Sequence, residues 1–333
     1  MKLSKLGEFG LIEEVIAPGF KKLIRENITG IGDDCSITPG TNNLSYLFTT
    51  DMLIEKTHFL RDKITPFQLG FKSLAVNLSD IAAMGGIPTA SYLSVGLPKS
   101  IELEWVKKFM KGYKTLSESE NVPLLGGDTT SCEDKIIVNV GISGEIENSN
   151  IKRRNAARKN DIICVTGNLG DSAAGLQIIL NQVQKTQTNE SLLNQHLSPQ
   201  PHVAEGKWLG AQKTVNAMMD VSDGVSSDLI HILKASGVSG VIELEQIPLS
   251  ENLKTITKDL DWNPYELALS GGEDYVLLLT IDKQSYSEVA GNFEKQFNKP
   301  LHAIGHIERG KPQITYKEYG KTINNLKKGY THF

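Results

Sequence analysis

Residues 66–86 of the chain read PFQLGFKSLAVNLSDIAAMGG. Apolar side chains recur at helical spacing in this stretch, which predicts a helix over 66–84 that the following glycines bring to an end. Asp80 lies near the end of this unusually apolar helix, where burial of an unpaired carboxylate would cost several kcal/mol. The sequence therefore favours a metal-ligating role for Asp80 over an exposed position on a polar strip with Asn77.

Five further acidic clusters are spread along the chain, each beside glycine, serine or threonine. They are Gly32-Asp33-Asp34, Thr49-Thr50-Asp51, Gly126-Gly127-Asp128, Asp220-Val221-Ser222-Asp223 and Gly271-Gly272-Glu273-Asp274. Carboxylates that converge repel one another, so they are tolerated together only when protonated, paired with bases or gathered around cations. Hard cations such as Mg²⁺ prefer oxygen ligands and commonly bring a phosphorylated substrate with them. The pattern predicts a divalent-cation site.

Several of these clusters also fit plain structural roles. Glycine and aspartate are standard turn residues, so Asp33 and Asp34 could equally form a solvated turn, and so could Asp128, where a predicted strand opens into a loop. Either Asp220 or Asp223 could cap the helix that follows, but hardly both. Loops at strand ends are nevertheless where α/β folds place ligand sites. The functional and structural interpretations both stay open at these positions.

The whole chain alternates strand-like and helix-like stretches. Predicted strands cover 44–50, 90–97, 122–125, 135–146, 161–166, 215–221, 240–244 and 275–281, and further predicted helices cover 101–119, 172–180, 225–235 and 283–297. The polar stretch 181–195 is expected to be a surface excursion. Since 333 residues exceed one typical core, we expect two α/β domains, 1–150 and 151–333.

Composition excludes several classes of protein. The net charge of −4 and the short basic patch at 152–158 give no electrostatic basis for binding nucleic acid. Three cysteines without CxxC spacing argue against a disulfide framework and a thiolate zinc site. Neither a signal peptide nor an apolar run of membrane-spanning length is visible, so we expect a cytoplasmic protein with no membrane partner. The motifs of P-loop kinases and protein kinases are absent.

Nine segments in combination resemble the thiamine-monophosphate kinase family, part of the aminoimidazole-ribonucleotide-synthetase-like ATP-binding superfamily. They are GEFGLI (7–12), GIGDDC (30–35), TD (50–51) with HF (58–59), LAVNLSDIAAMG (74–85), GGDTT (126–130), VTG (165–167) with GDSAAGL (170–176), DVSDG (220–224), LSGGEDY (269–275) and KGYTHF (328–333). The resemblance implies a two-domain α/β (α+β) fold with mixed sheets flanked by helices. It also implies a homodimer formed through the sheet of the N-terminal domain, with the active site between the two domains.

The resemblance further implies a reaction, in which ATP and thiamine monophosphate give ADP and thiamine diphosphate. The implied Mg²⁺ ligands are Asp34, Thr49, Thr50, Asp51, Asp80, Asp128, Asp220 and Asp223. The implied ATP contacts are Tyr113, Gly127, Asp128, Arg154 and Ser222, and the implied substrate contacts are His58, Glu273 and Tyr330. No catalytic base is expected, because a substrate phosphate oxygen is already ionised at neutral pH. Asp33 and Asp274 fit structural neighbours of the site equally well.

Two alternatives stay open at this point. One is another ATP-using enzyme of the superfamily, such as selenophosphate synthetase or aminoimidazole-ribonucleotide synthetase. Selenophosphate synthetase would need a reactive cysteine in a flexible N-terminal segment, whereas no cysteine precedes Cys35 in this chain. The other is a non-catalytic sensor of nucleotides or divalent cations.

Overall fold

The computed structural model of the chain describes residues 6–7 and 10–323. The strands are β1 (Ser36–Pro39), β2 (Leu44–Ile54), β3 (Ile87–Pro98), β4 (Leu124–Cys132), β5 (Ile137–Glu147), β6 (Ile162–Val165), β7 (Val215–Asp220), β8 (Ser239–Glu243), β9 (Leu277–Ile281), β10 (His302–Glu308), β11 (Ile314–Glu318) and β12 (Lys321–Ile323). The α-helices are α1 (Ala17–Phe20), α2 (Pro66–Ala83), α3 (Leu103–Ser119), α4 (Asp171–Leu180), α5 (Gln187–Leu197), α6 (Val203–Gly210), α7 (Val225–Ser236), α8 (Glu251–Asp259), α9 (Pro264–Ser270) and α10 (Tyr286–Phe297). A π-helical segment covers Leu11–Ile16, and short 3-10 segments cover Asn148–Asn150, Arg154–Ala156 and Leu244–Gln246. Within this described part of the chain, no helix is both long enough and apolar enough to cross a membrane.

Helix α2 is the central element, and local sequence determines where it begins and ends. Thr65 caps it through reciprocal hydrogen bonds with Gln68, and Pro66 occupies the first turn. The helix ends at Ala83, after which Gly85 adopts the left-handed conformation with φ +79°. Almost every residue in its last four turns is buried, polar ones included. Its polar side chains therefore need partners inside the protein.

Helices α2 and α3 cross so closely that their backbones are in contact. A Cβ added at Gly70 would lie 2.0 Å from the carbonyl oxygen of Phe109, and one at Gly112 would lie 1.8 Å from that of Phe67. No larger residue fits either position without separating the helices. The close crossing packs α2 directly against the first sheet.

The first sheet has the strand order β1-β2-β5-β3-β4, with β3 and β4 parallel and the other pairs antiparallel. Residues alternate along β2, as expected for a sheet with one covered face. Leu47 and Leu53 are buried on the α2 side, whereas Tyr46, Phe48 and Met52 are 46%, 48% and 48% exposed on the other. One face of this sheet is thus uncovered in the described chain.

The second sheet has the order β12-β11-β8-β10-β6-β9-β7, in which only β11 and β8 are parallel. With helices on both sheets, the predicted two-domain α/β fold with mixed sheets is confirmed. We propose the domain boundary near residue 150, since β5 ends at Glu147 and β6 begins at Ile162.

The two halves meet along α2. A Cβ at Gly206 in α6 would lie 2.3 Å from the carbonyl oxygen of Ala82, so the helices touch through their backbones. One hydrophobic cluster contains Leu74 and Leu78 of α2 together with Leu277 and Leu279 of β9. The two domains therefore share a core, and α2 carries side chains to the junction between them.

The stretch 181–195 lies mostly on the surface, as expected, and much of it is helical, because Thr186 caps α5 and Leu192 packs into a small core with α4. One local expectation was wrong. The chain does not open into a loop at Gly126-Gly127-Asp128, because β4 continues to Cys132 by pairing with β3. In both places tertiary contacts outweigh local composition.

Candidate active site

A cleft of about 1180 Å³ opens where α2 meets the second domain. Most of the predicted site residues line it, namely Asp34, Thr49, Thr50, Asp51, His58, Asp80, Arg154, Asp220, Ser222, Asp223 and Glu273. They come from segments as far apart as the loop before β1 and the loop before β9. The fold thus brings together acidic clusters that are distant in the sequence.

Three carboxylates converge in this cleft. Asp34 precedes β1, Asp80 lies on α2 and Asp220 ends β7, yet ligand oxygens of all three lie within 4.8 Å of one another. Burial, followed by the charges of Asp51 and Asp220, raises the pKa of Asp80 well above its usual value. Burial and then Asp34 raise the pKa of Asp220 to about 7. A cation between these groups would relieve the repulsion.

The donor set fits a hard divalent cation. All the converging ligand atoms are oxygens, which Mg²⁺ prefers. Oδ1 of Asp34 accepts a hydrogen bond from Arg154 Nη2 at 2.6 Å. Its other oxygen, Oδ2, is buried and has no hydrogen-bond partner among the described residues. A buried carboxylate oxygen without a hydrogen-bond partner is well suited to bind a metal ion.

Short hydrogen bonds hold these carboxylates in place. The Thr49 hydroxyl donates to Asp80 Oδ2 at 2.5 Å, and the Ser79 hydroxyl donates to Asp220 Oδ2 at 2.6 Å. The Ser79 bond joins the two domains. The backbone N–H of Asp51 donates to Asn77 Oδ1 at 2.9 Å, which fixes β2 against α2. These contacts orient the acidic oxygens toward the cleft before any ligand arrives.

Thr50 lies on the other face of β2 from its neighbour Thr49. Its hydroxyl donates to the carbonyl oxygen of Val140 at 3.1 Å and accepts a hydrogen bond from Asn139 Nδ2 at 2.9 Å. The side chain still lines the edge of the cleft. Its predicted role as a metal ligand stays a prediction.

The substrate-contact candidates His58 and Glu273 also line the cleft. Nδ1 of His58 accepts a hydrogen bond from the Ile54 N–H at 2.9 Å, so in the neutral ring the proton lies on Nε2. Glu273 Oε2 lies 3.0 Å from Lys72 Nζ and 3.2 Å from His196 Nδ1. Burial opposes ionisation of Glu273, but Lys72 and then His196 lower its pKa below the usual value.

Three of the predicted residues that the structure describes are not brought into this cleft. Gly127 and Asp128 line a separate groove of about 490 Å³ between α3 and the β4 edge of the sheet. Tyr113 is 1% exposed inside α3, and burial raises its pKa to about 12. Tyr330 lies outside the described residues. Of the implied ATP contacts, Arg154 and Ser222 thus line the cleft, Gly127 and Asp128 line the groove, and Tyr113 lines neither.

Strand register determines the separation of Asp128 from the other acids. The pairing of β2, β5, β3 and β4 aligns in one row Met52, Asn139, Ser94 and Asp128. Asp51 is adjacent to Met52, so their side chains point to opposite faces of the sheet. Asp128 thus lies on the face opposite Asp51, three strand spacings or about 14 Å away. It cannot join the carboxylates of its own chain without breaking the sheet.

Asp33 and Asp274, for which the sequence did not decide between a functional and a structural role, both bind backbone N–H groups. Asp33 Oδ1 accepts a hydrogen bond from the Arg154 N–H at 2.8 Å, which fixes the segment carrying that arginine. Asp274, 1% exposed, accepts from the N–H groups of Gly170 at 2.7 Å and Ser172 at 3.2 Å. Asp274 therefore holds the first turn of α4.

Replacing Asp274 by alanine should destabilise the fold without touching the cleft acids. Two buried N–H groups would lose their acceptor, so we expect the free energy of unfolding to fall by about 2 kcal/mol. Urea denaturation followed by circular dichroism measures the change. Asp62→Ala, which removes a carboxylate that is 73% exposed, is the matched control and should change it by less than about 0.5 kcal/mol. Equal stability of D274A and wild type would contradict this role.

The sequence-based reasoning missed Lys72 and His196, which line the cleft beside Glu273, and Ser79, which donates to Asp220. A signal for Lys72 was present, because a lysine inside an apolar helix requires a buried acceptor. Its partner Glu273 is 201 residues away, so no local pattern identifies it. Ser79 had no signal beyond its position next to Asp80.

Comparison with known proteins agrees with this fold. Residues 32–146 match the model for the N-terminal domain of AIR synthase related proteins, and residues 158–317 match the model for their C-terminal domain. The chain is thus an AIR synthase related protein, a class in which two α/β domains are joined in one chain.

Individual relatives narrow the assignment. The thiamine-monophosphate kinase of Aquifex aeolicus is 36% identical over 334 residues, with 100% of both chains covered. That of Buchnera aphidicola subsp. Schizaphis graminum is 37% identical over 329 residues, covering 96% of this chain and 98% of the relative. The solved structure of AaThiL complexed with AMPPCP and TMP has a TM-score of 0.86 and 35% identity, covering 100% of this chain and 99% of that one. The chain belongs to the thiamine-monophosphate kinase family.

Proposed function

We propose that this protein transfers the γ-phosphoryl group of ATP to thiamine monophosphate, giving ADP and thiamine diphosphate. The observation that carries the proposal is the convergence of Asp34, Asp80 and Asp220 in the cleft between the domains. A similar chain, 35% identical, has been solved with AMPPCP, an analogue of ATP, and TMP. A carboxylate cluster that can hold cations is what a transfer between two phosphate-bearing ligands requires.

The reaction needs little proton chemistry from the protein. A phosphate oxygen of thiamine monophosphate forms the new bond to the γ-phosphorus, and the bond from that phosphorus to the bridging oxygen breaks as ADP leaves. The attacking oxygen is already ionised at neutral pH, so no general base is required. The obstacle is bringing two anions together, which positioning and charge compensation overcome.

The cleft residues divide this work. Asp34, Asp80 and Asp220, with Thr49, Thr50, Asp51, Asp128 and Asp223, are the proposed ligands of Mg²⁺. When bound, Mg²⁺ supplies charge neutralisation for the phosphate oxygens. Arg154 is held by Asp34 at 2.6 Å and, with Ser222, is proposed to bind ATP phosphates. Tyr113 and Gly127 remain proposed ATP contacts.

Recognition of the acceptor is assigned to His58 and Glu273, and to Tyr330 as predicted from the sequence. His58 lines the cleft, and Nδ1 of its ring is held by the Ile54 N–H. The Glu273 side chain is 24% exposed and lines the cleft. An imidazole and a carboxylate together can bind the polar edges of a heteroaromatic substrate.

The cysteine chemistry of selenophosphate synthetase is not favoured here. Cys35 is 2% exposed, and its thiol donates to the carbonyl oxygen of Asp80 at 3.5 Å. Burial, followed by the charge of Asp80, raises the pKa of this thiol well above its usual value. A buried thiol that stays protonated is a poor nucleophile.

We propose that two copies of the chain form a homodimer through the uncovered face of the first sheet. Phe48 and Tyr92 are 48% and 42% exposed on that face, and Leu125 on edge strand β4 is 63% exposed. An exposed apolar face next to an unpaired edge commonly marks an interface. Thr50 and Asp128 both lie on that face, so a two-fold partner would supply its own Asp128 at the Thr50 edge of the cleft, which Asp128 of the same chain cannot reach. The predicted cytoplasmic location stays a prediction.

The function is tested by product formation with purified protein, ATP, Mg²⁺ and thiamine monophosphate. We expect thiamine diphosphate on anion-exchange chromatography, and none after chelation of the metal with EDTA. Unphosphorylated thiamine serves as the matched acceptor and should give no thiamine monophosphate. ATP binding without any thiamine diphosphate would reject the kinase in favour of a sensor.

A further inference from the structure

An ion pair in the wall of the cleft joins the two domains. Lys72 lies on α2 in the first domain and is 1% exposed, although lysine is rarely buried. Its ammonium lies 3.0 Å from Glu273 Oε2 and donates to the carbonyl oxygen of His196 at 3.0 Å. Both partners belong to the second domain. A single side chain of one domain thus holds two segments of the other.

One acceptor is an anion and the other a carbonyl oxygen with a partial negative charge, and both suit the ammonium. Glu273 contributes a carboxylate, and the His196 carbonyl lies in the last turn of α5, at the negative end of the helix dipole. His196 Nδ1 also lies 3.2 Å from the same Oε2 atom and 3.1 Å from the Ser172 hydroxyl. Oε2 is therefore held from two sides, in a residue that lines the cleft.

The backbone that carries Glu273 is held just as firmly. Glu273 has φ +64° and Tyr275 has φ +50°, a left-handed conformation that non-glycine residues seldom adopt. The N–H of Glu273 donates to the Ser222 carbonyl oxygen at 2.8 Å, and that of Tyr275 donates to Val221 at 2.9 Å. Strained backbone of this kind persists where surrounding contacts over-determine it, commonly at ligand sites.

We propose that Lys72 is a positioning residue for substrate recognition, which holds the Glu273 carboxylate charged and directed toward thiamine monophosphate. The inference rests on the proposed function and adds a residue of the first domain to acceptor binding. Lys72 lines the cleft but is 1% exposed, and its ammonium donates to two protein acceptors, so it is not expected to bind the substrate itself. It acts only through Glu273, so its loss should resemble the loss of that carboxylate.

The test compares Lys72→Met, Glu273→Gln and the double variant in steady-state kinetics. We expect K72M to raise KM for thiamine monophosphate about 10-fold, with kcat and KM for ATP changed by less than about threefold. E273Q should give a similar rise. The double variant should be no worse than E273Q alone, since neither charge is then left unpaired. Lys114→Met, a lysine 71% exposed on α3, is the matched control and should behave as wild type.

Two further measurements keep the result interpretable if K72M folds poorly. Lys72→Gln keeps a hydrogen-bond donor without the charge and should give an intermediate KM. Thiamine monophosphate binding by calorimetry should weaken about as much as KM rises. If wild type binds thiamine monophosphate but forms no product, the proposed function fails. The ratio of the Kd values of K72M and wild type for thiamine monophosphate still tests the role of Lys72. A lower kcat with unchanged KM, equal KM changes for both substrates, or additive effects in the double variant would overturn the proposal.

Discussion

Replacing Asp80 by asparagine is expected to lower kcat by at least about 100-fold while the protein stays folded. Asp80 lies within 4.8 Å of both Asp34 and Asp220, so the change removes one of three converging anionic ligands. The amide keeps the size of the side chain and can still accept the Thr49 hydrogen bond. Without metal, the variant should be at least as stable as wild type, because carboxylate repulsion is reduced.

The measurement is kcat at saturating Mg²⁺, together with thermal unfolding in the presence and absence of Mg²⁺. Wild type should be stabilised by the metal, and D80N should be stabilised less, because a ligand is missing. Asp62→Asn, on a side chain 73% exposed, controls for the substitution and should keep full activity. Wild-type kcat in D80N at saturating Mg²⁺ would show that Asp80 is not a metal ligand.

Asp128→Asn is expected to reduce activity as severely as D80N, and mixing the two inactive variants should restore it. If each site uses Asp80 of one chain and Asp128 of the partner, a mixed dimer contains one intact site and one doubly defective site. Random exchange makes half of the dimers mixed, so about a quarter of wild-type activity should return. We expect Asp128 to act in the partner's site because the strand register places it about 14 Å from Asp51 of its own chain, on the other face of the sheet.

The mixing experiment needs subunit exchange, which differently tagged chains and sequential affinity purification verify. The control is a mixture of D80N with Asp220→Asn, whose defects lie in one cleft of the same chain. Each mixed dimer then has one defect at each site, and activity should not return. If the D80N and D128N mixture stays inactive despite confirmed exchange, the two aspartates act within one chain and the composite site is wrong.

Sequence patterns predict well those features that depend on local chemistry. Asp80 stands out because it ends an apolar helix, and the boundaries of α2 follow from Thr65 and the glycines after Met84. Convergence of the acidic clusters could be inferred because isolated buried carboxylates are too costly. These inferences require only periodicity, capping and the price of burying charge.

Features that depend on strand order or long-range pairing could not be predicted. The register that separates Asp128 from the cleft is set by the β2-β5-β3-β4 order, which no local motif specifies. The 181–195 stretch is polar, yet α5 forms there because Leu192 finds a core built from α4 and α8. Lys72 and Glu273 meet across 201 residues of chain. In each case a partner distant in sequence decides the outcome.

The central claim is that one γ-phosphoryl group moves from ATP to the phosphate of thiamine monophosphate. Phosphorus NMR of one reaction, started with ATP and thiamine monophosphate, follows the phosphorus atoms of both substrates and both products. The account predicts that ADP and thiamine diphosphate appear in equal amounts as ATP and thiamine monophosphate disappear, only while Mg²⁺ is present. Release of AMP, or ADP and inorganic phosphate without thiamine diphosphate, would contradict it.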